Sequence, residues 1–146
     1  MEKNRNQVTV DVLNSLIHIN NSHILGYQEA TKETKDEDLQ IVFSAMLNES
    51  VNFAENLAGY VREMGGEVAI ERVIEGSVYR AWINIKTIIE SYDTALKVEE
   101  IQQSSELKGV LERQKITLEE SLKILEHVSL RLKYKAQRQE ILAEKV

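Results

Sequence analysis

The sequence predicts an all-α protein, an antiparallel four-helix bundle, from three observations. Apolar residues recur at steps of three and four, which places each set on one face of a helix. The predicted core stripe of the second helix is Leu39, Val42, Met46, Glu49, Phe53, Leu57, Tyr60 and Met64, and that of the fourth is Leu107, Leu111, Gln114, Leu118, Leu122, Leu125, Val128 and Leu132. The chain contains no Pro to interrupt helices, and strand-like alternation is absent. Its 146 residues suit one domain. We expect a single domain over 1–146, with helices over about 6–34, 37–64, 77–103 and 105–140.

Local signals mark the ends of the first two helices. Asn4 with Gln7 is a candidate N-cap pair for helix one. The run Thr34–Glu37 is typical of a capping box, in which a hydroxyl and a carboxylate satisfy opposite amides at the start of helix two. We expect Gly65-Gly66 to end that helix, because Gly adopts the left-handed conformation without Cβ strain.

The ends of the last two helices are less sharply marked. Gly76-Ser77 opens helix three, with Ser77 as N-cap. We place the next turn at 103–105, with Ser104 or Ser105 as cap. A break at Gly109, with 117–120 capping the last helix, is the alternative. The earlier turn is favoured because it gives helices of matched length.

The linker over 65–76 leaves two topologies open. Fully extended, it spans at most about 40 Å, which just reaches from one end of the bundle to the other. The chain could therefore run up-down-up-down with a loosely packed linker, or use a crossover. Apolar residues in the linker suggest that it lies against the bundle, and this favours the crossover; they are Val68, Ile70, Val73 and Ile74.

The last helix is longer than the other three. Apolar spacing continues in it at Leu130, Tyr134, Ile141 and Leu142, among basic residues. One interpretation is a frayed, solvated tail. The other is a long C-terminal helix that docks on another subunit.

Two segments resemble a known family. Leu57–Glu67, followed by Gly76–Lys86 with its Trp82-x-x-x-Lys86 element, is similar to an uncharacterised bacterial family, domain of unknown function 2383. The resemblance extends over roughly 8–132. It implies a ferritin-like bundle with a 65–76 crossover linker and no assigned reaction, and a stress-related role rests on this resemblance alone. The chain departs from the family in a shorter third helix.

A ferritin-like fold invites a search for a di-iron centre, which needs Glu-x-x-His on two helices. The three His of this chain, His18, His23 and His127, follow no Glu at that spacing. Helix two offers Glu49 with Asn52 where His would stand. We therefore predict no catalytic residues, no cofactor and no stoichiometric iron or zinc.

A weaker polar layer remains at His23 and Glu49. Both lie on predicted core stripes at similar heights of antiparallel helices, so we expect them to make contact. They form either a buried hydrogen-bonded pair that fixes register or a remnant metal site, helped by Asn20, Asn52 or Ser121. We interpret Gln114 and Ser121 as interhelical hydrogen bonds, and Trp82 as a core anchor packed on the linker.

Composition restricts the function. The absence of Cys excludes thiol catalysis and zinc–thiolate sites. The net charge of −6 disfavours nucleic acid and anionic membranes as partners. No apolar run approaches a membrane span, and no signal-peptide core follows Met1, so we expect a cytoplasmic protein.

Two function hypotheses follow from these observations. The first is a non-enzymatic structural or interaction module, forming a homo-oligomer through its helix faces or its C-terminal helix. The alternative is a metal-binding or iron-handling protein with a degenerate site. The first is favoured because no catalytic constellation accompanies the complete core pattern.

Overall fold

The protein is all-helical over the residues that the computed structural model describes, 2–68 and 85–144. We number its helices in chain order: α1 is Glu2–Glu33, α2 Glu37–Glu63, α3 Ile85–Leu96, α4 Glu99–Gln102 and α5 Ser105–Glu144. These ranges contain no strand, which confirms the predicted fold class. The predicted Ser77 cap and Trp82 anchor lie outside the described residues.

The start of α2 corrects one prediction. Its N-cap is Asp36, not Thr34, since Asp36 is the last residue with extended backbone, and its Oδ1 accepts from the Leu39 amide at 3.0 Å. Thr34 instead accepts from the Asp36 amide through Oγ1 at 3.2 Å. The predicted Asn4 cap is also wrong, because α1 already includes that residue.

The end of α2 is as predicted. Gly65 has a φ of 75°. The Gly65 amide donates to the Arg62 carbonyl and the Gly66 amide to the Val61 carbonyl, which is the Schellman arrangement. A Cβ at Gly66 would lie 2.8 Å from both methyl carbons of Val10, so the turn also packs closely on α1.

The predicted helix over 77–103 is interrupted. α3 ends at Leu96, and α4 begins after Val98, whose backbone is extended. The Gln102 side chain donates to the Leu96 carbonyl and so satisfies an acceptor at the end of α3. Ser104 then caps α5, accepting from the Leu107 amide at 3.2 Å, which confirms the earlier of the two turns considered.

Among the described helices, α1, α2, α3 and α5 pack on their neighbours in antiparallel orientation. α1 contacts α2 and α3, and α5 contacts α2 and α3. Tyr60 donates to Glu106, which places the end of α2 beside the start of α5. Tyr92 of α3 meets both Asn20 and Gln114, and α3 runs on from there towards that same end of the bundle.

These contacts fix the direction of α3. Ile85 precedes Tyr92 by about two turns, or about 10 Å, towards the opposite end of the bundle. α3 therefore runs in the same direction as α2, which disagrees with an up-down-up-down order. Most of the predicted 65–76 linker lies outside the described residues. Val68 packs against the core, and the Asn14 side chain donates to the Glu67 carbonyl at 2.8 Å. The start of the linker thus lies on the bundle, as predicted.

The core follows the predicted stripes in α5 more closely than in α2. The predicted α5 positions Leu107, Leu111, Leu118 and Leu125 are all buried. In α2 the buried face is rotated from the predicted one and contains smaller side chains: Phe43, Met46, Ser50, Ala54, Leu57, Ala58 and Val61. Because Ser50, Ala54 and Ala58 are small, α1 can approach α2 closely along this face.

No helix within 2–68 and 85–144 is both long enough and apolar enough to cross a bilayer.

Candidate functional site

His23 lies in the core of α1 and pairs with a tyrosine one turn later. Its Nδ1 shares a 3.0 Å hydrogen bond with the Tyr27 hydroxyl, and the two rings pack edge-on with centroids 5.4 Å apart. Tyr27 in turn stacks on Phe43 of α2. Burial lowers the pKa of His23 to about 4, so the imidazole is neutral at physiological pH.

Glu49 lies at the edge of the same layer and turns towards α5. Its Oε2 accepts from the Ser121 hydroxyl at 2.8 Å. Burial raises the pKa of Glu49, and the Ser121 hydrogen bond opposes that shift. Burial, and then the charge of Glu49, raises the pKa of Tyr27, so Glu49 and Tyr27 belong to one electrostatic environment.

The predicted contact between His23 and Glu49 is therefore not made. Each has its own partner, and neither a hydrogen bond nor an ion pair joins them in the described structure. The physical reason is the rotation of α2, which buries Ser50 and leaves Glu49 half-buried beside α5. The suggested helpers are dispersed as well: Asn20 turns to α3, and Asn52 is exposed on α2.

A metal site would need more ligands than this layer brings together. Within residues 2–68 and 85–144, no group of three or more His, Asp or Glu side chains is placed to hold an ion. Of the predicted set, only Glu49 and Ser121 touch, and a hydroxyl and one carboxylate make a poor site for a transition metal.

A second polar cluster joins three helices. The Asn20 amide of α1 donates to the Leu16 carbonyl at 2.9 Å and to the Tyr92 hydroxyl of α3 at 3.1 Å. That hydroxyl donates to Oε1 of Gln114 on α5 at 2.5 Å. Gln114 and Ser121 are thus interhelical hydrogen-bonding residues, as predicted. The chain of donors fixes the relative rotation of α1, α3 and α5.

Gln114 also lines an open cleft between α2 and α5. The cleft has a volume of about 280 Å³ and a polar lining that includes Asn52, Asn56, Arg113 and Thr117. Since Oε1 of Gln114 already accepts from Tyr92, its amide nitrogen is left as a donor. Amide and guanidinium donors suit a small anion, but the lining holds no acid–base pair for catalysis.

Two of these hydrogen-bonded pairs, His23 with Tyr27 and Asn20 with Tyr92, were not predicted from the sequence. The His23–Tyr27 pair has the spacing of residues one helical turn apart, so helical periodicity could have revealed it. The Asn20–Tyr92 bond joins residues 72 positions apart, and no local signal indicates it.

The second candidate site is the outer face of α5. Its inner face is buried at Leu118, Ser121, Leu125 and Val128. Six apolar side chains on the outer side are each more than half exposed, namely Ile116, Ile124, Leu130, Tyr134, Ile141 and Leu142. At about 100° per residue they fall within an arc of about 120°. We call these six residues the outer stripe.

The stripe continues beyond the body of the bundle. Arg131 pairs with Asp38 at 2.6 Å, so the start of α2 lies level with that point of α5. Residues 133–144, which we call the overhang, are helical and exposed throughout, and extend about 18 Å further. These residues continue α5 as a helix and are not frayed in this structure, but they are solvent-exposed, as the interpretation of a solvated tail expects.

Fold and site together define an all-helical bundle with a long final helix. The chain belongs to the family described as domain of unknown function 2383, whose pattern matches residues 8–116. This confirms the resemblance stated from the sequence. No curated protein matches the chain.

Proposed function

We propose that this protein is a non-catalytic interaction module that forms a homo-oligomer through the exposed face of α5. The observation that carries the proposal is the outer stripe. A single exposed apolar residue on a surface is ordinary, but a long run on one helix face is typical of an interaction site.

Helical order in the overhang supports the same function. An isolated helix is marginal in water, so an unsupported overhang loses little by fraying. Contact along the outer stripe would bury Tyr134 and Ile141 and stabilise the helix there.

A charge placed in the stripe tests the proposal. Leu130→Glu would bury a carboxylate at the contact, and we expect at least a tenfold weaker association, about 1.4 kcal/mol, in sedimentation equilibrium. Ile41→Glu is the matched control, since Ile41 is 67% exposed on α2, outside the stripe. Equal association by both variants would overturn the proposal. Circular dichroism checks that each variant remains folded.

We also propose that the chain has no enzymatic activity and no metal cofactor. The separation of His23 from Glu49 and the open polar cleft support this, because neither place holds a catalytic pair. Elemental analysis of purified protein should show no stoichiometric iron or zinc. One metal per chain, lost in His23→Ala, would favour the iron-handling alternative instead.

The remaining parts of the proposal concern the fold superfamily, the partners, the location and the biological role of the protein. The common direction of α2 and α3 supports a ferritin-like arrangement with a crossover. The net charge of −6 supports the absence of nucleic acid partners. We further propose a cytoplasmic location in a bacterial cell and a stress-related role; the bacterial source and the role rest on the resemblance alone, and expression of the chain under stress would test the role.

A further inference from the structure

We propose that α5 pairs with α5 of a second copy in antiparallel orientation, centred between Val128 and Ser129. This inference rests on the proposed function and specifies its partner and geometry. In such a pair, residues equally far from the centre on either side face each other. The two-fold axis makes the interface self-complementary and closes the assembly as a dimer.

The positions of the outer stripe favour this pairing. Apolar residues occur on the overhang, at Tyr134 and Ile141, and also on the part of α5 that packs on the bundle, at Ile116 and Ile124. Antiparallel pairing lays the overhang of one copy on the bundle-bound part of the other. Ile141 then meets the partner's Ile116, so both groups of exposed side chains are covered by one contact.

The residues between these ends also match. His127 faces the partner's Leu130, and Lys123 faces the partner's Tyr134. A lysine ammonium over a tyrosine ring is a favourable cation–π contact. Glu120 faces the partner's Gln137, an amide that can donate to a carboxylate.

In a parallel pair in register, like charges would face each other. Every residue of the interface would face its own copy, so Lys123 would meet the partner's Lys123 and Glu120 the partner's Glu120. Like charges placed together in a partly buried contact are destabilising. The polar residues that lie between the apolar residues of the outer stripe, Glu120 and Lys123, thus favour the antiparallel orientation.

One charged pair beside the stripe fits the same orientation. Glu126 and Lys133 are exposed and lie on the same side of the stripe, two helical turns apart. Antiparallel helices set Glu126 beside the partner's Lys133. The contact occurs once on each side of the two-fold axis and gives attraction there.

The bundle leaves room for the partner. Because the outer stripe lies opposite the buried face of α5, each bundle body lies on the far side of its own α5. The dimer is therefore two bundles separated by a layer of two antiparallel α5 helices, and the existing core needs no rearrangement.

Disulfide trapping tests the register directly, since the chain contains no Cys. We would prepare Ile116→Cys and Ile141→Cys as separate proteins and oxidise each alone and in an equal mixture. Positions that face each other come within the reach of a disulfide or a short thiol-bridging reagent. We expect the mixture to give a covalent 116–141 dimer as the main product and each variant alone to give little. Ile41→Cys mixed with either variant is the control for collisions.

The outcomes separate this inference from the proposed function. Cross-linking of each variant with itself would indicate parallel pairing and overturn the inference. A dimer in solution with no 116–141 product would overturn the register while leaving the interaction function intact. A chain that stays monomeric at every concentration would overturn both.

Discussion

At the residue scale, the polar groups of the core are arranged as separate hydrogen-bonded units. His23 bonds Tyr27, Glu49 bonds Ser121, and Asn20 bonds Tyr92, which bonds Gln114; these units share no common centre. Two buried atoms, Oδ1 of Asn20 and Oγ of Ser50, have no hydrogen-bond partner among the described residues. Buried polar groups with partners specify one arrangement of the helices. We therefore regard this layer as structural.

The buried His23 predicts acid sensitivity. Its pKa is about 4 in the folded protein and about 6.5 in the unfolded chain, so between these values the unfolded state binds more protons. Stability from this residue is therefore full above about pH 6.5 and falls as the pH decreases, by about 3 kcal/mol near pH 4. Urea unfolding of the parent and His23→Gln at several pH values measures this difference. His18→Gln, at an exposed position of α1, is the control; an unchanged slope in His23→Gln would contradict the assignment.

The Tyr92 hydroxyl predicts a stability effect at neutral pH. Tyr92→Phe keeps the ring but leaves Gln114 Oε1 without its donor and removes one acceptor from the Asn20 amide. We expect a loss of about 1–3 kcal/mol in the free energy of unfolding. Tyr60→Phe removes a hydroxyl whose hydrogen bond to Glu106 is exposed to solvent, and should change stability little. Equal unfolding curves for the two variants would show that the network does not stabilise the fold.

The sequence identifies several polar residues of the core but not all of their hydrogen-bond partners. Gln114 and Ser121 could be recognised as interhelical hydrogen bonds because polar side chains on an apolar stripe need partners. Their partners depend on helix rotation, which periodicity gives only within a few tens of degrees. That error placed Glu49 against His23 instead of Ser121.

At the scale of the elements, turn chemistry predicted the helix ends best where glycine was involved. Gly65 has a left-handed backbone conformation that residues with a Cβ rarely adopt. A glycine is therefore a strong sequence signal for the end of α2. The break between α3 and α4 has no such residue. Lys97 and Val98 form it with the help of Gln102 and the burial of Ile101, both of which depend on tertiary packing.

Two glycines of the α2 region should respond oppositely to alanine. Gly59 lies inside α2 with open space around its Cβ position, so Gly59→Ala should stabilise by about 1 kcal/mol through helix propensity. Gly66→Ala would bring a methyl group against Val10 and should destabilise by about 1–3 kcal/mol. Thermal unfolding measures both. Destabilisation by Gly59→Ala, or none by Gly66→Ala, would contradict the packing of the turn on α1.

At the scale of the whole molecule, packing within the bundle explains the apolar residues on the inner face of α5. It does not explain the apolar residues on the outer face. The inner face completes a core that α1, α2 and α3 share. Among the residues that the structure describes, neither the outer stripe nor the overhang packs on the bundle. A second copy would cover both, and the pairing of Lys123 with the partner's Tyr134 and of Glu126 with the partner's Lys133 favours the antiparallel orientation.

The molar mass in solution tests this central claim most directly. We predict that light scattering over a concentration series gives the intact chain about twice its 16.7 kDa mass, and gives a chain ending at Lys133 the mass of one copy with its helical spectrum retained. A mass of 16.7 kDa for the intact chain at every concentration would contradict the account.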